Sequence, residues 1–298
     1  MTEPHDSGLI IVRLTGGLGN QMFQYAAGLA VAGRLRARLC VDTSNLTPAM
    51  SHYGFELPRV FQRSFPVAST DAVRQVLGWR FPLRGLLSRR SLAALPLGPL
   101  LIEPHFEYWP AIERVRRSCY LVGYWQSEQY FGAIAPAVRD AFTFVPPNAG
   151  NRAIAAQIAD RQSVSLHVRR GDYVSNAKIS EFHGLCSKEY YEAAVKLVRS
   201  KVRDPRFFVF SDDLDWCRRN LELGDEAVFV DVNRGDDSYN DMWLMSLCNH
   251  HIIANSTFSW WGAWLDGRAD RITIAPRRWF AAERENTSTI YPADWVRV

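Results

Sequence analysis

An unbroken rhythm constrains what this chain can fold into. From residue 152 onward, short apolar runs alternate with helix-patterned stretches. A helix at about 152–160 precedes the run 163–168, and "SKEYYEAAVKLVRSKV" (187–202) leads to "RFFVFS" (206–211). A helix over 214–221 follows, then "AVFVDV" (227–232). The stretch "DDSYNDMWLMSLCNH" leads to "HIIAN" (251–255), and "STFSWWGAWL" (256–265) leads to "RITIAP". Alternation of this kind makes an α/β fold with a parallel sheet.

The amino-terminal part begins the same way. "GLIIVRL" (8–14) reads as a strand, "TGGLG" as a turn and "NQMFQYAAGLAVAGRLR" (20–36) as a helix, with "ARLCVD" a second strand. Prolines then break the pattern across 43–118, where short helices near 69–78 and 84–94 are expected. "TFVPPNAGN" (143–151) has the composition of a linker. Two α/β domains are therefore expected, residues 1–147 and 148–298, with a Gly-rich loop at 15–20.

Bulk properties exclude several classes. A chain of 298 residues, 47% hydrophobic and 22% charged, reads as globular and soluble. No apolar run is long enough to span a bilayer, and the amino terminus is acidic where a signal peptide is basic. The net charge of +4 comes with no dense basic run, which argues against nucleic acid as a partner. The five cysteines are scattered without a CxxC, as expected in a reducing compartment, with neither a disulfide frame nor a zinc site. "VLGWRFPLRGLLSRRSLAALPLGPLL" (76–101) has two readings. It is either core helices with arginine stems along them or a patch that meets a membrane surface.

In open parallel sheets, ligands bind beyond the carboxyl ends of the strands. Four polar features fall there: Gly16–Asn20, Arg169–Asp172, Ser211–Asp213 and Asn255–Ser259. The first, "TGGLGNQ", is neither GxGxxG nor a P-loop. It lets backbone approach a ligand at a helix start, where Asn20 and Gln21 add amides. In "HVRRGDY" (167–173), Arg169 and Arg170 point opposite ways if the strand continues through them. A guanidinium fork suits a diphosphate, and an ion pair with Asp172 is the structural alternative. "SDD" (211–213) offers a carboxylate to two N–H groups or caps a helix. Asp213-Leu-Asp215 is read as a cap rather than a metal site. "NSTFSWW" brings three hydroxyls to a helix start, and its tryptophans read as core.

With these stretches assembled, the sequence resembles the inverting α-1,2-fucosyltransferases of glycosyltransferase family eleven. "GGLGNQMFQYA", "HVRRGDY", "FFVFSDD" and "ANSTFSWWGAWL" carry the resemblance, in order along nearly the whole chain. It implies a GT-B-like fold of two Rossmann-like α/β domains, their parallel sheets facing a cleft. The acceptor would lie on the amino-terminal side and GDP-L-fucose on the carboxyl-terminal side. It implies transfer of L-fucose to the 2-hydroxyl of a terminal galactose with inversion, in surface-glycan or oligosaccharide synthesis, with no cofactor and no metal. A fucosyltransferase of another linkage and a non-catalytic nucleotide-sugar or glycan-binding protein are the alternatives.

Carried onto this chain, the resemblance makes Arg169, Asp172 and Asn20 catalytic. Gly17, Gly19, Gln21, His167, Arg170, Asp212, Asp213, Ser256, Thr257 and Ser259 would bind the donor. Asp172, Glu181 and His183 are all candidates for the base that takes the acceptor proton. A lipid-linked acceptor and a cytoplasmic location, peripheral at the inner membrane face, complete the expectation. A dinucleotide oxidoreductase is the rival, with Asp42 closing the second strand, but the glycine pattern is wrong and no Tyr-x-x-x-Lys dyad is present.

Overall fold

The computed structural model describes residues 8–46, 53–86, 98–171, 184–225, 227–281 and 286–298. The chain forms two compact units. The first holds β1 (Leu9–Arg13), α1 (Leu18–Leu35), β2 (Arg38–Asp42), α2 (Leu57–Val60) and α3 (Thr70–Leu77). A 3-10 stretch (Gly78–Leu86), β3 (Leu100–Ile102), β4 (Cys119–Val122) and α4 (Ala135–Ala141) complete it. Its four strands lie in the order β2-β1-β4-β3, all parallel. Ile10, Ile11 and Val12 of β1 are fully buried, as a central strand covered on both faces requires.

The second unit holds α5 (Ala149–Ala159), β5 (Gln162–Val168), α6 (Lys188–Lys201), β6 (Pro205–Ser211), α7 (Leu214–Asn220) and β7 (Val228–Phe229). α8 (Tyr239–Leu247), β8 (His250–Ile252), α9 (Thr257–Trp264), β9 (Thr273–Ala275) and β10 (Val296–Arg297) follow. Its six strands run β10-β9-β8-β5-β6-β7, again parallel throughout. The apolar run 163–168 is the central strand β5, packed against Tyr191, Ala194 and Val198 of α6. Helix starts follow the expected chemistry: Ser187 Oγ accepts from the Tyr190 amide and Asn148 Oδ1 from the Asn151 amide.

Three expectations are corrected. β3 and β4 lie in or just beyond the stretch that prolines made hard to read. They are three and four residues long, β4 recruited by pairing with distant β1 and β3 by pairing with β4, which local pattern cannot show. "AVFVDV" gives only Val228–Phe229 as strand, because β7 is an edge with one neighbour. The division falls between Val145 and Pro146, and Asn286–Pro292 returns to the first unit. Thr289 explains the return. Its hydroxyl accepts from the Tyr108 amide and its carbonyl from Ser127 Oγ, at 2.8 and 2.7 Å.

Candidate active-site residues at two strand edges

In the first unit the carboxyl end of β1 opens into the Gly-rich turn. Gly16 has φ +75°, the left-handed region, and a Cβ there would lie 2.4 Å from Asn20 Nδ2. Only glycine lets the Asn20 amide fold back over this turn. Asn20 Oδ1 accepts from Gln126 Nε2 at 2.9 Å, which fixes the amide and leaves Nδ2 without a hydrogen-bond partner among the described residues. Gly17 caps α1, and nothing stands within 4 Å of where its Cβ would be. Gly19 is buried in the first turn.

Gln21 takes a different part from the one expected. It is fully buried, its Nε2 donates to the carbonyls of Gly16 and Gly54, and its Oε1 accepts from the Glu56 amide. With both ends of its amide occupied inside the unit, it braces the turn and offers nothing to a donor molecule. Gln24, also buried, does the same between Thr15 and Gly123.

The sequence reading missed the loop after β4, "GYWQS" (123–127). Glu103, buried, accepts from the amides of Tyr124 and Trp125 through its two oxygens, at 2.7 and 3.0 Å. Trp125 is buried and holds φ +56°, a costly conformation for a bulky residue. This tightly held loop is what carries Gln126 to Asn20. Aromatic and amide residues just past a strand were the available signal. Asp42, the rival's ribose reader, accepts from the Tyr120 hydroxyl and the Ser44 amide.

In the second unit, β8, β5 and β6 are adjacent, with Val168 opposite Ser211 and Leu166 opposite Ile252. Three expected features therefore share one edge. The strand stops at Val168, so alternation does not govern the arginines. Arg169 Nη1 pairs with Asp212 Oδ2 and Arg170 Nε with Asp213 Oδ2, each at 3.1 Å. The Arg170 amide also donates to Asp212 Oδ1 at 2.8 Å. A Cβ on Gly171 would lie 2.9 Å from Asp212 Oδ2, so the glycine of "RRGD" makes room for that carboxylate. Asp172, Glu181 and His183 lie outside the described residues.

The arginines differ in setting. Arg170 is 19% exposed and its guanidinium lies 4.3 Å from the centroid of the Trp216 ring, whereas Arg169 is 33% exposed. Asp213 caps α7 through the Trp216 amide, and that bond, with Arg170, holds its carboxyl below the usual range. Asp213 thus caps α7 and pairs with Arg170, and Asp212 is a ligand of the arginine loop. Asp215 pairs with Arg218.

His167 is buried beside Phe258, with 5.9 Å between ring centroids. Burial pushes its pKa down to about 4, so the imidazole is neutral near pH 7. Its Nδ1 has no hydrogen-bond partner among the described residues. Ser256 caps α9 through the Phe258 amide, and Thr257 is half-buried in the first turn. Ser259 is corrected: it is buried and its hydroxyl donates to the carbonyls of Ala254 and Ser256. Trp260, Trp261 and Trp264 are buried against one another and Trp295, the expected core.

Asp241, in the first turn of α8, was also missed. Burial pushes its pKa up to about 7. Asn233, exchanging amide bonds with Asn151, donates to Asp241 Oδ1 at 2.7 Å. Oδ2 has no hydrogen-bond partner among the described residues. Because α8 leads from β7 back to β8, its start lies at the carboxyl edge. An acid in a helix start looks like a dipole partner in sequence, which hid it.

Comparison with known proteins follows this geometry. The sequence model of Glycosyl transferase family 11 matches residues 114–298. An alpha-1,2-colitosyltransferase of Escherichia coli is 35% identical over 303 residues, 97% of this chain and 99% of the relative. Galactoside 2-alpha-L-fucosyltransferase Sec1 of Mus musculus is 29% identical over 276 residues, 90% of this chain and 67% of that one. Among solved structures, NodZ alpha-1,6-fucosyltransferase soaked with GDP-fucose superposes with a TM-score of 0.52 at 16% identity, over 87% of this chain and 93% of that one. The likeness shows the GT-B-like fold.

Proposed function

The chain belongs to glycosyl transferase family 11, and we propose that this glycosyltransferase moves L-fucose from GDP-L-fucose to the 2-hydroxyl of a terminal galactose, with inversion. The observation that carries the reading is the carboxyl edge of the second sheet. There Arg169, held at one nitrogen by Asp212, stands between "SDD" and the start of α9. A guanidinium carries five N–H donors in a planar fork, the geometry that the oxygens of a diphosphate match.

The bond from fucose C1 to the β-phosphate oxygen breaks, and its electron pair leaves with GDP. Arg169 and the first amides of α9, beside Ser256 and Thr257, stabilise the growing charge. The acceptor oxygen attacks C1 from the opposite face, and its proton passes to a base, for which we propose Asp172. Asn20 Nδ2, fixed by Gln126, donates to the sugar or the attacking hydroxyl. For the N–H groups of the purine we propose Asp241 as the accepting carboxylate. Guanidinium charge replaces a metal in this scheme. Asp213 and Asp215 are already engaged with Arg170 and Arg218, which supports the metal-free reading. We place the enzyme in the cytoplasm, where all five free thiols stay reduced.

A second reading concerns the donor. The colitosyltransferase relative raises a colitose donor in place of a fucose one. The deciding experiment is a screen of galactose-terminated acceptors with each donor, followed by linkage analysis of the product. Fucose on the galactose 2-hydroxyl is expected. Preference for the colitose donor, or another linkage, sinks the specific assignment while keeping the family. Binding of both donors with neither transfer nor hydrolysis sinks catalysis itself.

A further inference from the structure

The opposite edge of the first sheet carries a charge pattern that the transferase reaction does not use. A cavity of about 580 Å³ opens where the strands begin. Arg38 starts β2, Arg117 stands just before β4, and Arg80 reaches in from the 3-10 stretch beside Gly98. No carboxylate lines it among the described residues. None of the three guanidiniums has an ion pair or a hydrogen bond among the described residues, and Arg80 Nε is buried without a partner. Gly98 has φ +66°, and a Cβ there would lie 3.0 Å from an Arg80 terminal nitrogen, so the glycine admits this guanidinium. Three like charges around one cavity repel unless an anion lies among them.

A second feature says which anion. Trp79 is 71% exposed, and the Arg80 guanidinium sits 4.4 Å from its ring centroid. A free phosphate has no use for an exposed indole. A membrane surface satisfies both, because indole belongs at the headgroup level and arginines pair with lipid phosphates. We propose that this edge docks on anionic phospholipid, with Arg38, Arg80 and Arg117 holding headgroup phosphate and Trp79 entering the interface. The Gly16 turn and Asn20 lie at the other end of the same strands. Docking here leaves that end facing water, open to a glycan. This proposal is independent of the donor and acceptor assignment.

The test is sedimentation of the full chain with phosphatidylcholine vesicles, with and without phosphatidylglycerol. Binding is expected only with phosphatidylglycerol and should weaken with salt. Each single Arg→Gln change at 38, 80 or 117 should lower partitioning about fivefold, and the triple variant roughly a hundredfold. Trp79→Ser should weaken binding while turnover on a soluble acceptor stays unchanged. The single variants carry the test if the triple variant does not fold. Three results overturn the proposal: no sedimentation with either vesicle, equal binding by the variants, or inorganic phosphate binding to the three arginines while vesicles leave the protein in solution.

Discussion

Arg169 and Arg170 are neighbours in sequence and unlike in surroundings. Arg170 is held by Asp213, by its own amide on Asp212 and by the Trp216 ring, whereas Arg169 is the more exposed of the two. Arg169→Lys is therefore expected to lower kcat by about a hundredfold with the fold intact, because an ammonium cannot fork across two oxygens. Arg170→Lys is expected to cost roughly 1 kcal/mol of stability, through lost stacking and pairing. Steady-state kinetics and urea unfolding of both variants decide, and the reverse pattern refutes the assignment. The second residue-scale prediction concerns Gln126. If it acts by holding Asn20, Asn20→Ala and Gln126→Ala should each lower kcat more than they raise KM. The double variant should then be little worse than Asn20→Ala alone. Additive losses would mean that Gln126 acts elsewhere. The arginines were legible in sequence because their chemistry is local. Their division of labour was not, because the expectation assumed a strand that stops at Val168. Asp212 and Asp213 arrive from β6 and settle the matter through contacts no spacing encodes.

At the scale of elements, α1 shows why the Gly-rich turn keeps its shape. The helix lies on β1 so closely that a Cβ on Gly28 would come within 2.3 Å of Val12 Cγ2 and 2.9 Å of Leu39 Cδ1. Gly28→Ala is expected to destabilise the first unit by about 1–3 kcal/mol, since neither neighbour can move without disturbing the sheet. Its kcat should fall as the turn shifts, and a variant with unchanged urea midpoint and turnover would contradict this packing. Helix α1 and strands β1 and β2 were readable because their periodicity is strong and nothing interrupts it. The same pattern blinded the reading to β3 and β4, whose identity comes from non-local pairing. Gln21 was misread for a related reason, and Gln24 went unread. A polar residue at a helix start looks available for a ligand, and only the tertiary structure shows the Gln21 amide bonded to Gly16 and Gly54 and that of Gln24 to Gly123. The β4 loop went unread altogether, because the strain at Trp125 and the carboxylate at Glu103 are properties of the folded chain.

At the scale of the molecule, the second unit concentrates buried groups whose protonation differs between folded and unfolded states. Burial lowers the pKa of His167 to about 4 and also lowers that of His251, which bridges Ser165 and Asp266. Burial raises Asp241 to about 7. Below pH of about 6.5 the unfolded chain takes up protons that the folded histidines refuse, so each makes stability fall with acidification, His167 by up to about 1.4 kcal/mol per pH unit until pH nears 4. Asp241 works in the opposite sense. Its folded carboxyl is protonated near pH 7 and its unfolded one only near pH 4, so acidification across that interval stabilises the fold by a similar slope. Between about pH 6.5 and 4.5 His167 and Asp241 therefore pull in opposite senses, and the lowered pKa values of His250 and His251 add to the loss. Asp241→Asn removes the opposing group and should steepen the loss of stability on acidification, while His251→Gln should make it shallower, whatever either change does at pH 7. Urea unfolding of the full chain at pH 7, 6 and 5 measures the slopes. A slope that flattens in Asp241→Asn would mean that its carboxyl is ionised in the fold. The same group should appear in kinetics. With Asp241 reading the purine as a carboxylate, kcat/KM for the donor falls as pH drops through about 7, and Asp241→Asn lowers it and removes that limb.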